Sequence, residues 1–501
     1  MTPETQCPPR ALTGRSVSWR VGQAILPAAA FQAALSGQAR LSALSQGRLK
    51  AGCSQDWLPH LCHNSLVPYR SSLGSMVSMV RDRVISPLEL VDAHLRRIEQ
   101  RNPSINAFVT VLADAARETA RVLEPGGTLG LLHGVPVTVK DCFDMAGLAT
   151  RVGSVERPQT PASRDATVVA RLRAAGAIVI GRTNTPEMLK RYDTDNAITG
   201  RTNNPWDVSR TPGGSSGGEA AAIAAMCSAG GVASDGGGSI RMPAHFCGVA
   251  GLKPTPGRIP GTGHTPSLGY PAGLVTVVGP MARTAADLRL LFSVLSGYDG
   301  QDAFSAPAPL REPLLDGVRI GVWEQFYGVP VDPEIRAAVR MAAALAGDLG
   351  FTVDGFEPRG LERAPNLWSF FFSQWLDAGK DLTAEAALLH LAARAAMRAA
   401  LLRQMEPVPA VLMPVFGIAA FRHGESRWQV EGKQIGLFQA GMPAVVANVL
   451  GLPAVTIPMA VSSAGVPIGV QLMGRPFEDE LLLGIAIRLE QARGPWAGII
   501  E

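Results

Sequence analysis

Three residues far apart in the chain have the types that acyl-transfer chemistry needs: Ser239, Ser215 and Lys140. Ser239 stands in SDGGGSIRMP, directly behind Gly236, Gly237 and Gly238. Glycine is costly in a regular element and favoured where the backbone must come close to something or take positive φ. The N–H groups of Gly236, Gly237, Gly238 and Ser239 can therefore converge on one oxygen, as an oxyanion hole requires, where each donor contributes about 3 to 4 kcal/mol. Ser215 lies in TPGGSSGGEAAAIAAM, and Lys140 ends the apolar run VPVTVK. A lysine at the end of such a run is partly desolvated, which lowers its pKa and makes the neutral amine a usable base. The three then form a closed sequence without histidine: Ser239 attacks a carbonyl, Ser215 passes the proton and Lys140 receives it. Activity is expected to rise with pH, because the lysine must be neutral. The bland alternatives are a glycine-rich turn and a lysine whose head reaches solvent.

Other readings of the same loops are weaker. A phosphate loop would end in Gly-Lys-Ser/Thr, which is absent. Gly214-Ser215-Ser216-Gly217-Gly218 fits the G-x-S-x-G nucleophile elbow, but DVSRTPGG does not read as the strand that must lead into it. Its partners would have to come from His264, His390 or His423, none in a telling context. Asp235 and Arg241 flank Ser239 and are expected to pair with each other, and Arg258 is expected to be structural. Cys53, His60, Cys62 and His63 match no standard zinc spacing, so no metal or cofactor is expected.

Positioning these residues needs a large folded unit. The 501 residues are 47% apolar and 18% charged, an ordinary enzyme profile, and the net charge of +4 with no long basic runs argues against nucleic acid. Only six residues are lysine, which makes Lys140 conspicuous. The six cysteines are irregularly spaced, so no disulfide framework is implied and a reducing cytoplasm is the default compartment. The longest uncharged stretch, Gln434 to Gly474, is interrupted by four prolines and reads as a helix, buried strands and a turn, so no membrane span is expected.

Residues 1–70 carry seven Arg or Lys against two acids and no clean period, and are set aside as an extension outside the fold. From Ser71 the pattern is regular. Ser86-Pro87-Leu88-Glu89 is a capping box that opens a helix over 87–101. VPVTVK, DATVVARLRAAG and AIVIGRTN then alternate strand, helix and strand, and the same grammar returns in AVLMPVF, PAVTIPMAV, PIGVQLMG and EDELLLGIAIRLEQ. Helices alternating with short apolar runs imply an α/β fold, a mixed or parallel sheet covered on both faces. Small residues after Gly218 let that helix pack close to a neighbour. Residues 300–400 are less regular and contain the aromatic patch LWSFFFSQWL, read as core more than pocket.

The run from GGSSGGEAAAIAA through SDGGGSIRMPAHFCGVAGLKPTPGRIP, with VPVTVKD upstream and GLPAVTIPM and GVPIGVQLMGRP downstream, resembles the amidase signature hydrolases. The resemblance covers about residues 72–495. It implies a single α/β/α domain over 71–501, around a mixed sheet of about eleven strands, with 300–400 as the variable substrate-side segment. It also implies a Ser-cisSer-Lys triad of Ser239, Ser215 and Lys140, with Ser215 in a cis peptide, Ser216 in support and the oxyanion donors at Gly236, Gly237, Gly238 and Ser239. Where many members have Asp-Thr-Gly-Gly-Ser or Asp-Ile-Gly-Gly-Ser, this chain has glycine at 236, a change expected to widen the entrance.

The expected activity is hydrolysis of a carboxylic amide, with aryl amides, esters and carbamates as related substrates, because one tetrahedral intermediate serves all of them. The expected partner is a small amide-type molecule, and a homodimer is an allowed assembly. The rival is the glutamine-hydrolysing component of a tRNA-dependent amidotransferase, its A subunit, which releases ammonia from glutamine. That component usually carries Arg-Tyr-Asp-Gly in its second half, which is absent here; Trp368, Phe370, Phe371, Phe372 and Trp375 instead suit a hydrophobic substrate. A non-catalytic binding protein on the same scaffold would have no need of all three reactive residues.

Overall fold

A computed structural model describes residues 67–123, 130–376 and 382–496, with side chains 373–376 excepted. The expected extension 1–70 therefore lies almost wholly outside the described residues, as do Cys53, His60, Cys62 and His63. Within the described residues before Ser71, Pro68–Arg70 forms a 3-10 turn, and Arg97 lies over the Tyr69 ring at 5.3 Å.

The strands are β1 (Phe108–Val111), β2 (Pro136–Lys140), β3 (Ile178–Thr183), β4 (Gly230–Asp235), β5 (Ala250–Lys253), β6 (Val277–Ala282), β7 (Arg319–Val322), β8 (Thr352–Gly355), β9 (Ala410–Pro414), β10 (Arg427–Val430), β11 (Lys433–Gly436), β12 (Ala454–Val461) and β13 (Pro467–Gly474). Eleven of them form one sheet in the order β1-β3-β2-β4-β6-β5-β12-β13-β9-β7-β8, and β10 and β11 make a separate hairpin. The pairs β2–β3, β2–β4, β7–β8 and β7–β9 are parallel and the remaining pairs of the large sheet antiparallel, so the sheet is mixed, as expected. β2, β3, β4 and β6 are buried at every residue, so none shows the in-and-out alternation of a half-buried strand.

This strand order places the chemistry. Thr138 pairs with Gly231 across the parallel β2–β4 ladder, and Lys140 with Thr183 across β2–β3, so all three strands end at one edge of the sheet. In open α/β sheets the carboxyl ends of strands are where ligands bind. Lys140 is the last residue of β2, and Asp235, which begins the glycine loop, is the last residue of β4.

The capping box forms as written: Ser86 Oγ accepts from the Glu89 N–H at 3.1 Å and Glu89 Oε2 from the Ser86 N–H at 2.8 Å. The helix runs past the expected 101 to Ile105, with Pro103 in its last turn, and stops where Asn106 takes a left-handed conformation, φ 47°. The small-residue helix is Gly217–Ala224, wholly buried, and Gly218 is needed at its start because a Cβ there would lie 2.4 Å from the Asn184 backbone nitrogen.

Candidate active site

Lys140 is completely buried, with its ammonium nitrogen 2.8 Å from Ser215 Oγ, 2.8 Å from Ser216 Oγ and 3.3 Å from Ser234 Oγ. It does not reach solvent. Desolvation lowers its pKa to about 8, against the opposing pull of Cys142, Asp235 and Glu219. A neutral amine has two N–H donors and one lone pair, and three hydroxyls surround it. Ser216 Oγ donates to the Ser234 carbonyl at 3.3 Å, so its own proton is committed and it can only accept from the lysine. Of the two hydroxyls left to face the lone pair, Ser215 is the nearer, at 2.8 Å against 3.3 Å for Ser234. The Gly214–Ser215 peptide is cis, as the family resemblance implied.

The glycine loop turns back over these serines, and Ser216 N–H donates to the Ser239 carbonyl at 3.2 Å. Ser239 is the least enclosed of the three candidate residues, at 9% exposure. Beneath it Asp235 is fully buried and accepts from the N–H groups of Gly238 at 2.7 Å, Ile240 at 3.1 Å and Arg241 at 3.4 Å. The Arg241 guanidinium meets it bidentately, with Nε and Nη2 each at 3.0 Å. Burial alone would push the Asp235 carboxyl up; Arg241 and Asn448 outweigh it and hold the group well below the usual carboxylate range. Asp235 and Arg241 thus pair as expected. Removing the guanidinium leaves a buried carboxylate without its counter-charge, so Arg241→Met is expected to cost about 3–5 kcal/mol of stability, read from chemical denaturation.

The structure differs from expectation at two glycines. The Gly238 N–H is held by Asp235, so the amides not committed to that carboxylate are those of Gly236, Gly237 and Ser239. Gly236 does not open an entrance either: a Cβ there would stand 2.7 Å from Oγ1 of Thr276, which is itself buried. The glycine is a close approach between the backbone and a buried threonine, so the space its missing side chain would take is already filled.

None of the histidines offered for an elbow bonds Ser215 or Ser239. His264 Nδ1 is 2.7 Å from the Pro266 carbonyl, and burial lowers the ring to about 3. His390 stacks on Phe370 at 3.5 Å, and His423 lies 3.8 Å from Asp193. Residues 211–216 are loop, so no strand feeds Ser215. Arg258 is structural, with Nη2 2.5 Å from Glu480 Oε1 at the start of the last helix and its guanidinium over Phe292. The aromatic patch is mostly core, with Leu367, Trp368 and Phe371 buried, but Trp368 Nε1 also donates to the Gly236 carbonyl at 2.6 Å. Trp375 lies outside the described side chains.

Several residues at the site carry no signal in the sequence. Glu219 accepts from Thr138 at 2.5 Å and Thr183 at 2.7 Å, and burial pushes it up to about 7. Asn448 and Gln471 complete the Arg241 cage at 2.6 and 2.9 Å. Tyr192 Oη donates to the Gly237 carbonyl at 2.7 Å. Sequence distance hides them all; only an isolated polar residue in a buried run, as Gln471 is in β13, could have drawn notice.

A mixed eleven-stranded sheet carrying a dry lysine among serines at its strand ends defines the class, an α/β amide hydrolase. The chain belongs to the Amidase family, whose profile matches residues 89–385 and 369–483. It is 36% identical over 449 residues to the indoleacetamide hydrolase of Bradyrhizobium diazoefficiens, covering 83% of this chain and 85% of that one. It is 31% identical over 480 residues to the A subunit of the glutamyl-tRNA(Gln) amidotransferase of Methylococcus capsulatus, covering 85% and 97%. Among solved structures, a bacterial aryl acylamidase of the amidase signature family superposes with TM-score 0.77 at 27% identity, covering 85% of this chain and 97% of that one. Among the described residues no helix is long and apolar enough to cross a membrane, and no cluster of His, Cys, Asp and Glu is arranged to hold a metal.

Proposed function

We infer that the protein hydrolyses a small carboxylic amide through an acyl-enzyme on Ser239. The observation that carries this is the buried Lys140 amine within 2.8 Å of Ser215 Oγ, a base made available by desolvation. Ser239 Oγ bonds to the carbonyl carbon as its proton passes to Ser215 Oγ, whose own proton moves to Lys140 Nζ. The oxyanion is met by amides of Gly236, Gly237 and Ser239. Collapse breaks the C–N bond, and the proton returns through Ser215 to the leaving nitrogen. Water then attacks the ester with the same base, releasing the carboxylic acid and restoring Ser239. Ser216, with its proton committed to a carbonyl, supports the lysine without carrying the relay.

The acyl side is proposed to be hydrophobic. Trp368 stacks on Phe372 at 4.7 Å with Phe438 at 6.0 Å, an aromatic group joined to the glycine loop. The relative that hydrolyses indoleacetamide and the aryl acylamidase neighbour favour the same chemistry. The second reading, glutamine hydrolysis for a tRNA-dependent amidotransferase, is favoured by the amidotransferase relatives at 31–34% identity.

A panel of aryl acetamides, anilides, aliphatic amides, esters, aryl carbamates and glutamine separates them. The isolated chain is expected to turn over aryl amides at least 100-fold faster than glutamine, by kcat/KM. Glutamine as the preferred substrate, especially with amidotransferase partner proteins added, would overturn the hydrophobic-amide reading.

A further inference from the structure

Three consecutive glycines are the softest backbone the chain can place beside a nucleophile. With no Cβ, each peptide plane between them can turn at little cost, yet an oxyanion donor works only if its N–H is fixed in direction before the reaction. Nothing inside the loop fixes the Gly236–Gly237 plane. The bonds that hold it come from other elements.

In a trans peptide the C=O of one residue and the N–H of the next point in opposite directions. Trp368 Nε1, from the Ala364–Leu376 helix, donates to the Gly236 carbonyl at 2.6 Å and so turns the Gly237 N–H away from the indole. Tyr192 Oη donates to the Gly237 carbonyl at 2.7 Å and turns the Gly238 N–H the other way, where Asp235 Oδ1 receives it at 2.7 Å. The two successive planes are thus pinned from opposite ends. Trp368 and Gly237 are in close register: a Cβ on Gly237 would lie 2.5 Å from Cζ2 of the indole. Burial keeps the Tyr192 phenol protonated, and thus a donor, across the working pH range. A hydrogen bond accepted by a peptide C=O also polarises the following N–H, strengthening it as a donor by roughly 10–30%.

We propose that Trp368 and Tyr192 are positioning residues of the oxyanion loop, holding the Gly237 amide toward the substrate's carbonyl oxygen by anchoring the carbonyls on either side of it. Neither touches the reacting atoms. Trp368 does two things: its ring face is part of the aromatic group, and its N–H holds the backbone. The inference rests on Ser239 being the nucleophile.

The test removes each donor and keeps each shape. Trp368 is replaced by 3-benzothienylalanine, in which sulfur stands for the indole N–H, and Tyr192 by phenylalanine; Trp368→Phe serves as a third variant. Steady-state kinetics on an aryl amide are measured beside inhibition by an aryl trifluoromethyl ketone, which forms a tetrahedral adduct, and by the product carboxylate. Each isosteric variant is expected to lose about tenfold or more in kcat, part of the 10²–10³ lost when a whole donor is removed, with KM within about twofold. Ketone affinity should fall by the same factor as kcat/KM, while carboxylate affinity holds. An unchanged kcat in both isosteric variants, or a raised KM at constant kcat, would overturn the positioning role and leave Trp368 as a wall of the pocket. If Ser239→Ala kept its turnover and a fluorophosphonate left Ser239 unlabelled, the underlying reading would fail instead, whatever the Trp368 variants did.

Discussion

Ser239→Ala is expected to lower turnover of an aryl amide by on the order of 10⁵-fold or more while leaving substrate affinity close to that of the parent enzyme. The size follows from covalent catalysis: without the hydroxyl, water must attack the amide directly, and the oxyanion amides and binding surface supply only the remainder. The exchange removes one oxygen from a side chain that is 9% exposed and makes no fold-defining side-chain bond, so thermal stability should hardly change. Intact-mass spectrometry with a fluorophosphonate gives the second reading: one adduct on the parent chain, mapped to Ser239, and none on the variant. Residual turnover above 1% of the parent rate, or labelling that persisted elsewhere, would place the nucleophile on another residue.

Lys140→Met should cost nearly as much in kcat, and it carries the pH dependence with it. The sign follows from the amine's role. Its pKa falls from the ordinary lysine value to about 8 because desolvation penalises the charged form, and only the neutral amine can take the Ser215 proton. The parent kcat/KM should therefore rise with pH, tenfold per unit below about 8 and level above it, with the midpoint reporting the free enzyme. In Lys140→Met that limb should vanish. The variant should fold with stability close to the parent's, since relief from burying a desolvated amine offsets the loss of its bonds to Ser215 and Ser216. A dead variant that melts normally is thus the expected pair of results; a surviving limb near pH 8 in the variant would assign the titration to another group.

The two residues differ in how plainly the sequence announced them. Ser239 was legible because its neighbours are: three consecutive glycines before a serine leave the backbone bare on the approach to a hydroxyl, which calls for a reason. Lys140 was legible by contrast, a charged residue closing an apolar strand in a chain with six lysines. The pairing of Asp235 with Arg241 spans only six residues and could be drawn from local chemistry. The choice between Ser215 and Ser216 came from family resemblance, and the structure adds a physical ground in the Ser216 hydroxyl donating to the Ser234 carbonyl.

The misread glycine shows the limit. At position 236 the absent side chain suggested extra room at an entrance, because sequence reveals that a side chain is missing but not what fills its place. The filler is Thr276, on a segment forty residues later. Gly238 is similar: its N–H looked available in a row of four, and Asp235 had already taken it.

By itself, then, the sequence determined the candidate residues for chemistry, the strand and helix grammar around them and the α/β class, because helix caps, apolar runs and glycine clusters are local and leave a period or composition behind. Only the tertiary structure decided what surrounds each group. The parallel neighbours β2 and β4 bring Lys140 and the glycine loop to one edge, and the fold closes bonds from Trp368 and Tyr192 across 132 and 45 residues of chain. Such contacts depend on the order of strands in the sheet, which no local pattern encodes, and burial of Lys140 exists only once the whole sheet has formed around it.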